Sequence, residues 1–152
     1  MSLLGLLLVF HILATIAVIG TAFVVPVIRR SARTASQLRF AFRITTKLAI
    51  LPKIGGAVLL VTGIWLMFIT KMGLSQMWLN LSILLSLLMV VTIGGLIEPR
   101  MKTIMQIVSE SKSQGDEVPA EFTQAMKKIV PLESTAQLLM IAITVLMVVK
   151  PF

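Results

Sequence analysis

The chain has 152 residues, of which 57% are hydrophobic and only 13% are charged, and its mean hydropathy is +1.00. A soluble domain carries about a quarter charged residues, so this composition excludes an ordinary water-soluble fold. The chain contains no cysteine, which excludes disulfides, thiolate metal sites and a cysteine nucleophile. The net charge of +8 comes from basic residues just outside apolar runs, which favours membrane topology signals over nucleic-acid binding.

Four apolar runs are long enough to cross a bilayer, because about 20 residues at roughly 1.5 Å each cover a hydrocarbon core of roughly 30 Å. Basic residues follow the first run rather than precede it, so we expect a retained helix and not a cleaved signal peptide. We therefore predict one all-α integral membrane domain over 1–152, folded as a four-helix antiparallel bundle. The predicted spans lie at about 3–28, 50–70, 77–97 and 132–149.

Basic residues are distributed unevenly between the two ends of the predicted bundle. All but two of the 14 Lys and Arg lie in or beside the connectors 29–49 and 98–131, and the exceptions are Lys71 and Lys150. Because basic connectors stay in the cytoplasm, we expect both termini outside and helical extensions on the cytoplasmic side. The predicted lipid-headgroup and topology residues are Arg29, Arg30, Arg33, Arg39, Arg43 and Lys47.

The first connector shows the pattern of an amphipathic helix. Thr34 followed by Gln37 is typical of a helix start, and Arg39 and Arg43 then share one helical face. This pattern fits a helix held against, or extending from, an anionic leaflet, and it also fits a specific phosphate or lipid-headgroup site. In the second connector, Pro99 predicts a kinked extension of the third membrane helix.

His11 is the only histidine, and it lies about 12 Å below the outer end of the first helix by helical rise. An ionisable residue at membrane depth is a functional candidate by default. It would serve as an axial haem ligand or a proton-transfer group, or else as a neutral imidazole hydrogen-bonded to a neighbour. The predicted ligand-binding layer around it comprises Thr15, Thr62, Gly63, Ser86 and Thr144.

One histidine without cysteine restricts the metal chemistry. It excludes bis-histidine haem ligation within one chain, and a zinc site of three or four His or Cys ligands. Methionine thioethers are soft ligands for copper(I), and Met67, Met72, Met77 and Met147 lie near the outer ends of the predicted helices. Their spacing does not stack on one helix face. Haem, with His11 as its ligand, is therefore the preferred cofactor, and copper is less favoured.

The stretches LLVFHILATIAVIGTAFVVPVIRR and GGAVLLVTGIWLMF resemble a bacterial family of predicted four-helix integral membrane proteins, the domain of unknown function 2269. The pattern consists of His11, Gly20, Pro26 before Arg29, and the step Thr62–Trp65. That family is distantly similar to the membrane domain of copper-resistance protein D and to the haem-binding bacterial protoporphyrinogen oxidase. The resemblance implies haem or copper handling through His11.

The resemblance does not extend to the oxidase's second conserved feature. Oxidase-type proteins pair their histidine with a lysine inside a later helix, whereas this chain has no basic residue between Lys71 and Arg100. The sequence also contains no P-loop, nucleotide fingerprint, catalytic triad or paired-carboxylate motif. An enzyme is therefore the least favoured of the functions that we consider.

Together these patterns predict a multi-pass protein of the bacterial plasma membrane that binds haem or another hydrophobic ligand around His11. The alternative is a small oligomeric transporter or assembly subunit without a cofactor. Because four spans enclose little volume, transport would require a dimer. The expected partners are the lipid bilayer, anionic lipids on the cytoplasmic side and further copies of the chain.

Overall fold

The structure, a computed structural model, describes residues 2–71, 75–110 and 117–151. Within these ranges every regular element is helical, and a π-helical segment, Val91–Ile97, joins the fourth helix to the fifth. The α-helices are α1 (Leu3–Ser31), α2 (Ala35–Leu48), α3 (Ile50–Ile69), α4 (Met77–Val90), α5 (Glu98–Glu110) and α6 (Ala120–Val149).

Four helical stretches are long and apolar enough to span a membrane, which agrees with the predicted number. Large apolar side chains along them are exposed; Ile16, Phe68 and Val148 are 62%, 73% and 76% exposed. Exposed apolar side chains of this size are expected where lipid replaces water. The four stretches are Leu3–Ser31, Ala35–Ile69, Met77–Glu110 and Ala120–Val149.

The membrane-length helices pack as two pairs, α1 with α3 and α4 with α6. In the first pair His11 meets Thr62 and Val18 lies against Gly55, so α1 and α3 run in opposite directions. A Cβ atom at Gly55 would lie 2.8 Å from Val18 Cγ2 and 3.2 Å from the Ala14 carbonyl oxygen. The missing side chain therefore allows the close approach on which helix association in lipid depends.

The two pairs meet through α1 and α6, so the helices follow each other in space as α3, α1, α6 and α4. Among the described residues, α3 and α4 do not pack against each other, although only a short link separates them in sequence. The predicted antiparallel four-helix bundle is thus an open row in which the second and third membrane-length helices are not neighbours. The small face of α3, at Gly55 and Thr62, is occupied by α1, and α6 covers the face of α4 that holds fully buried Ser82.

The best-packed apolar cluster lies where α2, α5 and the beginning of α6 meet. Leu38, Ile104 and Ile129 are at most 2% exposed, and the rings of Phe42 and Phe122 meet edge to face with centroids 5.9 Å apart. We call this cluster the basic-end core, because the basic connectors lie at the same end of the molecule. The opposite end, where α1 begins and α6 ends, is called the termini end. The remaining buried members of the core are Val108 and Met126.

The predicted start of α2 is confirmed. Thr34 is the N-cap, and its hydroxyl oxygen accepts a hydrogen bond from the Gln37 backbone N–H at 3.3 Å. The Gln37 side chain accepts in turn from the Arg33 N–H at 3.0 Å. The apolar face of α2 packs into the basic-end core, and this leaves Arg39 and Arg43 exposed on the opposite face. The helix is thus a packed extension rather than one that buries its apolar face in lipid.

Two prolines near the basic end, Pro99 and Pro131, affect their helices differently. Pro99 follows the π-helical segment; it has no N–H, and its ring would crowd the Gly95 carbonyl in a regular α-helix. A wider π turn relieves that crowding and leaves the helix continuous. At Pro131, by contrast, α6 runs through without interruption, so the second connector and the fourth span share one helix.

Candidate functional site

His11 is placed between α1 and α3 by the spacing of its own helix. Leu7, Ala14 and Val18 are buried, and His11 lies on the same stripe at intervals of three and four residues. The imidazole is half-buried, so one part of the ring contacts α3 and another part reaches the surface. A ligand that diffuses within the bilayer would therefore have access to the ring.

A short chain of hydrogen bonds indicates which nitrogen of His11 carries the proton. Nδ1 lies 2.8 Å from the Thr62 hydroxyl oxygen, and that oxygen lies 2.6 Å from the Val58 carbonyl, to which the hydroxyl can donate its only proton. We assign the proton of Thr62 to this shorter bond, so that Thr62 accepts from His11 and Nδ1–H is the donor. In the neutral ring the free lone pair then lies on Nε2. The structure gives Nε2 no hydrogen-bond partner among the described residues.

Four of the predicted site residues lie together at this place. A Cβ atom at Gly63 would be 3.5 Å from His11 Cε1, so the imidazole ring lies beside the bare backbone of α3. Thr15 is one turn further along α1, and its hydroxyl donates to the His11 carbonyl at 2.8 Å. The structure thus brings His11, Thr15, Thr62 and Gly63 together within the α1–α3 pair, and their role in ligand binding stays a prediction.

Ser86 and Thr144, the other two predicted site residues, belong to the α4–α6 pair. Their hydroxyls donate to backbone carbonyls of their own helices, at 2.7 Å to Ser82 and at 2.8 Å to Met140. Within the described part of the chain, α3 packs against neither α4 nor α6. Their participation in a ligand site with His11 stays a prediction.

The described residues do not gather further metal ligands. No group of three or more His, Asp or Glu side chains occurs among them. The methionines considered for copper lie on three different helices, Met67 on α3, Met77 on α4 and Met147 on α6, and α3 does not pack against the other two. Met72 lies outside the described residues. A role of His11 as a metal ligand stays a prediction.

A second polar cluster joins α1 to α6 near the basic end. Arg29 Nη2 and Glu133 Oε1 are 2.6 Å apart, and both side chains are only 6% exposed. The other guanidinium nitrogens of Arg29 donate to Met101 Sδ at 2.8 Å and to the Val25 carbonyl at 3.5 Å. Arg30 adds a longer bond to Glu133.

This pairing corrects the prediction that Arg29 contacts lipid headgroups, because its guanidinium is buried against α5 and α6. An unpaired arginine at this depth would be costly, and Glu133 compensates its charge. The other predicted headgroup residues are exposed: Arg30, Arg33, Arg39, Arg43 and Lys47.

Pro26 creates the second contact of this cluster. Without an N–H, Pro26 leaves the Ala22 carbonyl of α1 without its helical donor, and Gln137 Nε2 of α6 donates to that carbonyl at 3.0 Å. We call the residues Ala22, Arg29, Glu133 and Gln137 the polar seam. Sequence reasoning missed it, although Gln137 is the only amide in the fourth apolar run.

These features define an all-helical protein with four membrane-length helices and a single histidine between the first two. The chain belongs to the family described as predicted integral membrane protein (DUF2269), whose model matches residues 5–151. The resemblance to that family is therefore confirmed, and the protein is an integral membrane protein. Neither a curated protein nor a solved structure matches the chain. Similarity to copper-resistance protein D and to the oxidase stays a prediction.

Proposed function

We propose that this protein binds haem within the bilayer, with Nε2 of His11 as the axial ligand. The supporting observation is the 2.8 Å contact between Nδ1 and the Thr62 hydroxyl, because the assignment of Nδ1–H as its donor leaves the Nε2 lone pair free. Histidines that bind metals usually donate their other N–H to an oxygen, which fixes the tautomer and raises the basicity of the ligating nitrogen. The contact of His11 Nδ1 with Thr62 is of this kind.

The surroundings of His11 fit a large apolar ligand better than a bare metal ion. A bare ion needs several protein ligands, whereas a porphyrin brings four nitrogens and requires only an axial partner. The chain has one histidine and no cysteine, which suits the second case. Ile12 and Ile64, the neighbours of His11 and Gly63, are each 55% exposed and offer apolar contact to the macrocycle. Bound haem would supply a redox-active iron.

The test is a haem titration of the detergent-solubilised protein, in which the Soret absorption band reports haem binding. We expect a stoichiometric complex with the natural sequence and none with His11→Ala. Thr62→Val should weaken binding about 10-fold or more, the usual effect of removing the partner of a ligating histidine. Thr21→Val is the matched control, because Thr21 lies outside the predicted layer and its hydroxyl bonds only the backbone of its own helix. An unchanged titration in His11→Ala would overturn the proposal.

We also propose that the basic end faces the cytoplasm of a bacterial cell, where its cations contact anionic headgroups. The support is the concentration of exposed Arg and Lys at that end, since basic connectors are retained in the cytoplasm. Each cation close to an anionic leaflet contributes about 1 kcal/mol. The exposed cations of this surface are Arg30, Arg33, Arg39, Arg43 and Lys47.

A further inference from the structure

The contact between α1 and α6 is the joint between the two halves of the membrane-length region. Among the described residues, α3 packs on α1 and α2 and forms an ion pair with α5 at the basic end, between Lys53 and Glu98, while α4 packs on α6 and on its own continuation. Between the membrane-length helices themselves, movement of the α1–α3 pair relative to the α4–α6 pair therefore takes place at the α1–α6 contact.

The side-chain bonds that cross this contact are confined to one part of it. In the described residues they involve only 22–30 of α1, through Ala22, Arg29 and Arg30. In lipid no hydrophobic force holds helices together, so such polar bonds and close packing determine their association. Towards the termini end, the buried residues Ala14 and Val18 of α1 pack on Gly55 of α3. The polar bonds between α1 and α6 are thus concentrated near the basic end.

Two features of the backbone allow bending next to these polar bonds. Pro26 interrupts the hydrogen-bond ladder of α1 between the two seam contacts, and the π-helical segment Val91–Ile97 interrupts the ladder that leads from α4 to α5. Proline and π turns are the usual places where helices kink. The basic-end core connects α2, from one half, to α5 and α6, from the other, and would keep the halves together if the seam opened.

We propose that the polar seam is a latch, and that the α1–α3 and α4–α6 pairs rock against each other about it. With the Arg29–Glu133 and Gln137–Ala22 contacts made, the halves have one fixed separation. When those contacts are released, the halves separate at the termini end while the basic-end core remains packed. This inference does not depend on haem binding, because it concerns α1 and α6 and not the His11 ligand.

The experiment measures distances between pairs of spin labels by pulsed electron resonance in lipid nanodiscs. The chain has no cysteine to remove. Leu13→Cys with Val148→Cys reports the separation of the halves, and Leu13→Cys with Leu60→Cys reports the α1–α3 pair. All three positions are more than half exposed in the structure, at 57%, 76% and 59%. Each pair is measured in the natural background and with Glu133→Gln or Arg29→Gln.

We expect both seam variants to shift and broaden the distance between the halves while the distance within the α1–α3 pair stays narrow. The double variant Arg29→Glu with Glu133→Arg restores the charge pair and should restore the natural distribution. An unchanged distance between the halves in both single variants would overturn the latch. Equal broadening of both distances would also overturn it, because the polar seam would then stabilise the whole fold and not the α1–α6 contact alone.

Pro26→Ala provides an independent check, since it returns an N–H that bonds the Ala22 carbonyl within α1. Gln137→Leu should broaden the distance between the halves in the natural background and have no further effect in the Pro26→Ala background. An equal effect of Gln137→Leu in both backgrounds would contradict the role assigned to the Ala22 carbonyl.

Discussion

At His11 the hydroxyl proton of Thr62 decides which imidazole nitrogen is available to a ligand. Thr62 uses that proton on the Val58 carbonyl and therefore accepts from Nδ1, so Nε2 is left as a base. A valine at position 62 would have nearly the same shape but no acceptor, and the ring would lose the constraint on its tautomer. The property that we connect with function thus rests on one hydrogen bond between α1 and α3.

The imidazole ring lies close to the backbone of α3 at Gly63, with room for a methyl group but not for a large side chain. A Cβ atom there would lie at ordinary contact distance, 3.5 Å from His11 Cε1, so Gly63→Ala should bind haem as the natural protein does. Gly63→Leu adds volume that the ring cannot avoid without moving, and we expect its haem affinity to fall at least as far as that of Thr62→Val. Parallel haem titrations measure both. Equal affinity of Gly63→Leu and the natural protein would show that the ring does not need this space.

At the scale of the helices, alanine substitutions at two neighbouring glycines of α3 should have opposite effects on the melting temperature. A Cβ atom at Gly55 meets Val18 Cγ2 at 2.8 Å and a backbone oxygen at 3.2 Å, whereas at Gly56 it meets nothing within 4 Å. Gly55→Ala should therefore force α1 and α3 apart and lower the melting temperature. Gly56→Ala should leave it unchanged or raise it, because alanine is the better helix former by about 1 kcal/mol.

Circular dichroism of the two alanine variants in the same detergent provides the comparison. The pair is matched in chemistry and differs only in which face of α3 receives the methyl group. If Gly55→Ala were as stable as Gly56→Ala, the close packing of α1 on α3 would be incorrect.

The basic-end core should behave like the core of a soluble protein. Ile129 is 1% exposed and contacts an apolar cluster from three helices, so Ile129→Ala should cost about 2–5 kcal/mol of unfolding free energy. Thr123→Ala, at an exposed position of the same helix, should change it by less than about 0.5 kcal/mol. Denaturant unfolding in micelles measures both, and comparable losses would mean that this cluster does not stabilise the protein.

Which helices exist could be read from the sequence, but which helices are neighbours could not. Run length and the Thr34–Gln37 pattern predict the elements, because backbone hydrogen bonds within lipid leave helices as the only choice for such runs. Every run also carries small residues, and lipid does not discriminate among their faces. The sequence thus could not show that α3 and α4, adjacent along the chain, are separated in space.

The same lack of information about lateral position explains why the sequence predicts some neighbours of His11 correctly and also selects residues on other helices. Helical rise gives the depth of a residue but not its lateral position, so it correctly places Thr62 beside His11. It also selects Ser86 and Thr144, which share that depth but lie on the other pair of helices. The Gln137–Ala22 contact joins residues 115 positions apart, and no local pattern indicates it.

For the molecule as a whole, the sidedness of the basic end can be tested in intact bacterial cells. Ser2 lies at the termini end and Ser36 at the basic end, and both are exposed. With the basic end in the cytoplasm, a membrane-impermeant maleimide should label Ser2→Cys and not Ser36→Cys, and permeabilised cells should label both. Labelling of Ser36→Cys alone in intact cells would reverse the proposed orientation.

The most direct test of the proposed ligand site is to measure which ring nitrogen of His11 carries the proton. Because the chain has one histidine, selective nitrogen-15 labelling of histidine gives the two ring signals of His11 alone. In nanodiscs at neutral pH we expect a protonated Nδ1 and an unprotonated Nε2, with this preference lost in Thr62→Val. Added haem should remove the Nε2 signal. A proton found on Nε2 in the natural protein would contradict the proposed ligand site, because no lone pair would remain there for iron.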